Sequence, residues 1–543
     1  MSSEAARNGS VRAVCKEGIW HISRIAARRL TPADKMLLRE AVPCGRKKNL
    51  AMYHQLGASA GVWQLELVKA ALDEGEIAMG LAEGFALRCS QQPNLVHEIC
   101  APAQFLTRRA IVCALQQQGQ RVHGAGVYQW VDCMQYLLAV VTALSWWALS
   151  VLRCMGENYR VPPDKDVLFA VHGEWSNRTR HLLGYCREGQ GVIVLGRPRV
   201  SLDALVLLWG QQLGLKSLRL VRPFNIRSVL LSLPTGIRLC MQGAGMLARY
   251  PYKPHFAEQV AIAYRCLLGT ASAVWWQANA TGVKTVVYGH TGIADTTLLE
   301  YQQHTGGVET IHAVHGISSG LNFTGHSSKA LFHCEYDARW HDSLGGYGQC
   351  SALEAPCPSA VAGDEGILLL SNYVHPMNLW FRVFGTEEEL QLLADVAAMA
   401  DAIGVARQQV VWKPHPIFYT LPDTVQAEVT NAVRIQGFST WASTASLDEA
   451  LKFHWVISTR STVALDILRL GILPVIYAPH EDGMTDVVSA FSLQSADVGG
   501  LVDAANTLQD CEARQVLLAN CWARVKPSQS SLLSLFKNVR NET

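Results

Sequence analysis

The sequence predicts an α/β protein: two doubly wound domains facing a cleft, with a mainly helical region ahead of them. Three observations predict it. From about Asp166 onward, short apolar runs alternate with longer amphipathic segments, the pattern of a parallel sheet wrapped by helices. A stretch rich in Gly, Pro, Ser and Ala, "SLGGYGQCSALEAPCPSAVAGDEG", interrupts this alternation, which restarts after it. The adjacent prolines of "RVPPDKD" break helix and favour extended backbone, separating the alternating part from the helical part before it. A chain of 543 residues fits two large domains and an accessory region. The expected units are 1–163 (accessory), 164–345 (first α/β domain), 346–365 (linker) and 366–543 (second α/β domain).

In the accessory region, "VWQLELVKAALDEGEIAMGLAEGFAL" and "TRRAIVCALQQQG" read as helices. In the first α/β domain, "DVLFAVHG", "GVIVLG", "SLRLVRPF", "KTVVYG", "ETIHAVHG" and "ALFHCE" read as strands. In the second, "GILLLSNY", "QQVVWKPHP", "VRIQGF", "WVISTRS" and "LPVIYAP" read as strands, with "TEEELQLLADVAAMADAIG" and "STVALDILRLG" as helices between them. Two such domains in tandem place the carboxyl ends of both sheets around a common cleft, where small polar ligands bind.

With 49% hydrophobic residues, 17% charged residues and a net charge of +2, the composition is globular and names no nucleic-acid partner. Fifteen cysteines, scattered singly with no CxxC pair, read as reduced thiols. The opening "MSSEAARNGSVRAVCKEG" lacks the apolar core of a signal peptide, so a cytoplasmic location is expected. Residues 133–152, "CMQYLLAVVTALSWWALSVL", carry no charge and approach the roughly 20 residues that span a bilayer. A buried helix is one reading. Peripheral contact with a membrane surface is the second, helped by Trp146, Trp147 and the basic clusters "ARRL" and "GRKK", and a true span is the least favoured.

Two stretches of the second domain carry chemistry. In "VVWKPHPIFY" an apolar strand stops at Lys413, and His415 is held between Pro414 and Pro416, whose rings restrict the backbone on both sides. An imidazole held in this way donates a hydrogen bond to a phosphate or a leaving oxyanion at little entropic cost, and Lys413 adds charge. In "WVISTRSTVALDILRLG" a strand runs into Ser458, Thr459, Arg460, Ser461 and Thr462 and then into a helix. Hydroxyls and unpaired N–H groups at a helix start bind phosphate, and the plain alternative is that Ser461 or Thr462 only caps the helix.

"KPHP", followed about forty residues later by "ISTRSTVALDILRLGILPVIY", resembles the HP and serine motifs of bacterial GT-B glycosyltransferases of surface and capsular polysaccharide synthesis. These include sialyl- and polysialyltransferases, with related patterns in Kdo transferases and CDP-glycerol polymerases. The resemblance is carried by residues 365–480. It implies a GT-B-like pair of Rossmann-like domains, the second binding a nucleotide-sugar, with His415, Ser461 and Thr462 on the donor phosphate. "TVVYGHTGIADTTLLEYQQHTGGVETIHAVHG" resembles the segment such enzymes carry before their interdomain crossing, which implies His315 and Gly316 at the cleft.

The resemblance further implies an inverting transfer to a glycan or glycolipid acceptor, with a CMP-sugar as the first donor to consider, and work in the cytoplasm or peripherally at the inner membrane. A CDP-polyol phosphotransferase of the same fold and a non-catalytic subunit of a polysaccharide assembly complex are the competing readings. The acceptor needs a general base, and the candidates follow strand ends: His172 and Glu174 in "FAVHGEWSNRTR", His290 and Asp295 in "YGHTGIADTT". Glu174 is preferred, then Asp295. The Asp-x-Asp of "PDKD" precedes a strand instead of following one, so no metal is expected, and no cofactor beyond the donor itself.

Overall fold

The computed structural model describes residues 8–26, 31, 33–34, 36–37, 78–102, 108–155, 169–173, 183, 191–196, 211–221, 225–247, 256–279, 282–289, 294–314, 325–345, 347–352, 356–371, 386–415, 418–419, 421–442, 447–459, 461, 463–478, 490–491 and 493–527. The accessory region opens with a hairpin, β1 (Asn8–Lys16) and β2 (Ile19–Ile25), paired antiparallel with Ala13 opposite Ile22. Its two-residue turn, Glu17-Gly18, has φ of 52 and 75, the left-handed pair whose twist matches that of antiparallel strands. Val11, Ala13, Trp20 and Ile22 are buried, so alternate positions face a core. β3 (His97–Pro102) joins β1 antiparallel and β4 (Arg121–Val122) joins β2 parallel, in the order β3-β1-β2-β4. Helices 78–91 and Arg108–Gln117 place Leu81, Phe85, Ile111 and Leu115 in the same core. The region therefore carries helices, as expected, and in addition a sheet that the expectation lacks.

The next sheet has seven strands: β5 (Phe169–Gly173), β6 (Gly191–Gly196), β7 (Ser217–Val221), β8 (Thr285–Tyr288), β9 (Glu309–Ala313), β10 (Lys329–Leu331) and β11 (Cys350–Ser351). All its pairs are parallel, in the order β11-β10-β9-β8-β5-β6-β7. The chain winds outward from β5 to β7, then returns to the other side of β5 and winds outward again. The reversal falls between β5 and β8. Helix Ala125–Met155 packs against helices Ile226–Leu247 and Phe256–Asn279 through Tyr136, Ala143, Trp147, Cys240 and Leu267. The uncharged stretch is thus a helix with one buried face. Among the described residues no helix is long and apolar enough to cross a membrane.

The last sheet has six strands: β12 (Glu365–Leu370), β13 (Val410–Lys413), β14 (Ser439–Thr440), β15 (Phe453–Ser458), β16 (Val475–Tyr477) and β17 (Gln494–Ser495). They are parallel throughout, in the order β14-β13-β12-β15-β16-β17. Numbered along this domain the order is 3-2-1-4-5-6, the doubly wound arrangement, with its reversal between β12 and β15. One expected strand is corrected: "VRIQGF" is the last turn of helix Asp423–Gln436 and its cap. Val429 and Val433 bury one face of that helix, and Gly437, at φ 78, ends it in the left-handed conformation before β14 begins.

Residues 356–363, within the expected linker, lie along this last domain. Val361 N–H donates to the Gly471 carbonyl at 2.9 Å, and Gly363 N–H to the Phe453 carbonyl at 3.0 Å. Gly471 has φ 83, and a Cβ there would stand 2.3 Å from the Ser359 carbonyl oxygen. Gly471→Ala combines left-handed strain with a backbone clash and is expected to destabilise the domain by about 2–3 kcal/mol, measured by urea unfolding. The last described residues return to the preceding domain. Cys334 and Pro527 form an antiparallel bridge, Lys526 pairs with Glu335 at 2.8 Å, and an Arg469 guanidinium N–H donates to the His333 carbonyl at 2.9 Å.

Candidate functional site

In the last sheet β13 and β15 flank β12, and the register puts Lys413, Leu370 and Ser458 in one row at the carboxyl edge. The ends of β13 and β15 are therefore about 10 Å apart, two strand spacings. The ladder continues one step past the row: Ser371 N–H donates to the Lys413 carbonyl, and Thr459 N–H to the Leu370 carbonyl, both at 3.1 Å. Ligands of open α/β sheets bind outside the carboxyl ends at the reversal point, here the ends of β12 and β15. Lys413, His415, Ser458, Thr459 and Ser461 all follow or end strands at this edge.

His415 leaves β13 through a buried Pro414, and its carbonyl accepts from Phe418 N–H at 2.9 Å, closing a turn. Phe418 meets the Trp412 ring edge-on at 5.2 Å between centroids, so the turn is packed back onto the strand it leaves. Burial pushes the Lys413 amine below its ordinary value. Burial, and then the charge of Lys413, push His415 below the ordinary histidine value. His415 at neutral pH is thus a neutral imidazole with one N–H to donate, held beside a cation.

Ser458 and Thr459 are buried, 0% and 1% exposed, and the Ser458 hydroxyl donates to the Thr459 carbonyl at 2.8 Å. These two fix the path of the strand end and do not present open hydroxyls. Ser461 is half-buried; its hydroxyl accepts from Val463 N–H at 3.4 Å and its carbonyl from Ala464 N–H at 3.0 Å, so it caps helix Val463–Arg469. Arg460, Thr462 and Pro416 lie outside the described residues.

In the seven-stranded sheet the register aligns Leu195, His172, Tyr288 and His312 across β6, β5, β8 and β9. His172 ends β5, and Asp295 is the second residue of helix Ala294–Thr305, which follows β8. The two stretches proposed for the general base thus follow β5 and β8, the strands on either side of that sheet's reversal point. Glu174, His290, His315 and Gly316 lie outside the described residues. His312 is buried in β9, with Nδ1 2.5 Å from the Tyr347 hydroxyl. Asp364 and Glu365 of "GDEG" sit at the amino end of β12, opposite the carboxyl edge.

Sequence reasoning missed three residues that shape the carboxyl edge. Trp412 donates from Nε1 to the Ser371 hydroxyl at 3.0 Å and to Glu389 Oε1 at 3.2 Å. Glu389 is 0% exposed, its Oε2 has no hydrogen-bond partner, and burial raises its carboxyl to about 6 against the pull of the bonds from Ser371 and Trp412. A raised carboxyl favours the fold below its unfolded value of 4.5, and that contribution is lost as pH rises through about 6. The shift corresponds to about 2 kcal/mol. Glu389→Gln keeps the shape and removes the charge, so it is expected to raise Tm at pH 8 and to leave it near wild type at pH 4.5.

No family model and no curated protein sequence matches the chain. Among solved structures, an S. aureus MnaA–UDP co-structure is similar with a TM-score of 0.39 and 10% identity, covering 69% of this chain and 97% of that one. A structure of the wall teichoic acid polymerase TagF soaked with CDPG is similar with a TM-score of 0.36 and 8% identity, covering 77% and 97%. Likeness at this level leaves the assignment of activity to the residues of this chain. What its own topology defines is a fold class: two doubly wound α/β sheets in tandem, each with polar residues following the strands at its reversal point.

Proposed function

We propose that the protein is an inverting, metal-independent glycosyltransferase of bacterial surface-polysaccharide synthesis, moving a sugar from a nucleotide-sugar to a glycan or glycolipid acceptor. The observation that carries it is the row Lys413–Leu370–Ser458, which brings the strand bearing His415 and the strand leading into Ser461 to one carboxyl edge. The donor nucleotide would lie across the ends of β12 and β15. His415 donates its N–H to the departing phosphate, Lys413 adds positive charge, and the backbone around Ser461, with Arg460 and Thr462, completes the donor site. By the resemblance of their segment, His315 and Gly316 would lie at the cleft from the first α/β domain. A base from that domain, Glu174 first, then Asp295 or His172, takes the proton of the acceptor hydroxyl as it attacks the anomeric carbon in line.

A CMP-linked acidic sugar is the first donor to test, because the pair "KPHP" and "ISTRST" most resembles the motifs of the CMP-sugar-using group, with UDP- and GDP-sugars the alternatives. The work would be done in the cytoplasm, in peripheral contact with the inner membrane where a glycolipid acceptor is anchored. Thermal-shift measurements against CMP, UDP, GDP and CDP test the donor site, since a ligand that binds only the folded state raises Tm. The expected result is a rise with CMP exceeding those with the other three. Equal responses would remove the CMP assignment, and no response to any nucleotide would sink the donor site itself.

A further inference from the structure

Helix Ala125–Met155 is apolar on two opposite faces. Tyr136, Ala139, Val140, Ala143 and Trp147 are buried, while Met134, Leu138, Val141, Trp146, Leu149 and Leu152 are 45–64% exposed. At about 100° per residue the exposed set, Trp146 apart, forms one stripe diametrically opposite the buried one, about 27 Å long at 1.5 Å per residue. The neighbouring helix Ile226–Leu247 carries a second stripe, with Ile226, Leu230, Leu231 and Met241 48–62% exposed. Of the twenty large hydrophobic residues exposed among the described residues, ten lie on these two helices. Single exposed apolar residues need no explanation, whereas a concentration of this kind marks an interaction surface.

The charges beside the stripes choose the occupant. Helix Ile226–Leu247 contains Arg227 and Arg238 and no acidic residue, and both arginines are exposed. Eleven residues apart, they stand within about 20° of each other around the helix, inside the arc of its stripe, between Leu230 and Leu231. Between Met134 and Leu152 helix Ala125–Met155 carries no charged residue at all. An uncharged apolar stripe beside one with two arginines set into it suits the boundary between acyl chains and anionic headgroups. No described helix is able to cross the bilayer, so the contact is with its surface.

We infer that the exposed faces of helices Ala125–Met155 and Ile226–Leu247 form a peripheral docking surface for an anionic lipid bilayer. The surface itself stands on packing and charge. Its use, holding the cleft beside a lipid-anchored acceptor, rests on the glycosyltransferase reading.

Flotation of the full-length protein with vesicles of phosphatidylcholine alone, and of equal parts phosphatidylcholine and phosphatidylglycerol, tests it without any need for activity. The protein is expected to float with the anionic vesicles and to be released by salt. Arg227→Gln with Arg238→Gln is expected to weaken binding about thirtyfold, and Leu138→Asp with Leu149→Asp to abolish it. The nucleotide-induced rise in Tm, measured on the same variants, reports separately on the fold and the donor site. A protein that floats with neither vesicle overturns the proposal. So does a wild type that light scattering shows to be a dimer and the aspartate variant a monomer, since the stripes would then join two copies. Flotation retained in the aspartate variant overturns it as well.

Discussion

His415→Ala is expected to lower the rate of sugar transfer by about 10²- to 10³-fold, the loss seen when a positioned donor to a developing anion is removed. The side chain itself makes little of the surrounding core: it is half-buried, and the turn it occupies is held by its backbone carbonyl, by Pro414 and by Phe418. The fold should therefore survive, with Tm close to wild type, and the loss should appear in kcat more than in KM. The pH behaviour supplies a second readout. In the free protein burial and Lys413 hold His415 below its ordinary value, whereas a bound phosphate favours the imidazolium. Nucleotide binding should take up a proton and tighten as pH falls from neutrality toward the lowered value of the free imidazole. His415→Gln should bind nucleotide without that pH dependence. A variant with unchanged kcat would remove His415 from the reaction.

Trp412→Ala is expected to be the most destabilising single change at this edge, by about 3–5 kcal/mol. It deletes a buried ring from the core of the second α/β domain, removes the surface on which Phe418 packs, and leaves both Ser371 and the buried Glu389 without their indole donor. Because Trp412 immediately precedes Lys413, the loss should also free the 413–415 segment and weaken nucleotide binding. Trp412→Phe separates the two contributions: most of the apolar volume stays, and the cost should fall to about 1–3 kcal/mol for the orphaned polar groups. Its deficit should shrink as pH falls below about 6, where Glu389 is protonated. Urea unfolding of both variants at two pH values checks this, and equal destabilisation by the two would contradict the role given to the indole N–H.

The longer strands of both α/β domains were legible because buried parallel strands read as short apolar runs, whereas the two-residue edge strands β11, β14 and β17 carry too little pattern to read. "VRIQGF" misled for a definable reason: Val433 and Ile435 alternate with polar neighbours as in a strand, yet Val433 completes the spacing begun at Val429, Ile435 faces outward, and Gly437 is a helix C-cap. The hairpin at 8–25 also had a signal, alternation around Glu17-Gly18, in a stretch read only for a signal peptide. At the site, "KPHP" stood out because prolines at a strand end are a local feature. The Ser371–Trp412–Glu389 contact was not legible, since it joins residues 41 and 23 positions apart. "TEEEL" reads as a solvated acidic first turn, and only the packing of helix Thr386–Ala402 shows its third glutamate to be fully buried.

The central claim is that the carboxyl edge at β12, β13 and β15 holds the nucleotide of a sugar donor. Mass spectrometry of the acceptor after incubation with CMP-, UDP- and GDP-sugars and with a CDP-polyol, for the wild type and His415→Ala, tests it most directly. The account predicts an acceptor heavier by one sugar residue, with the CMP-sugar preferred and the product lost in the variant. An increment equal to a phosphopolyol, or sugar transfer undiminished in His415→Ala, would contradict it.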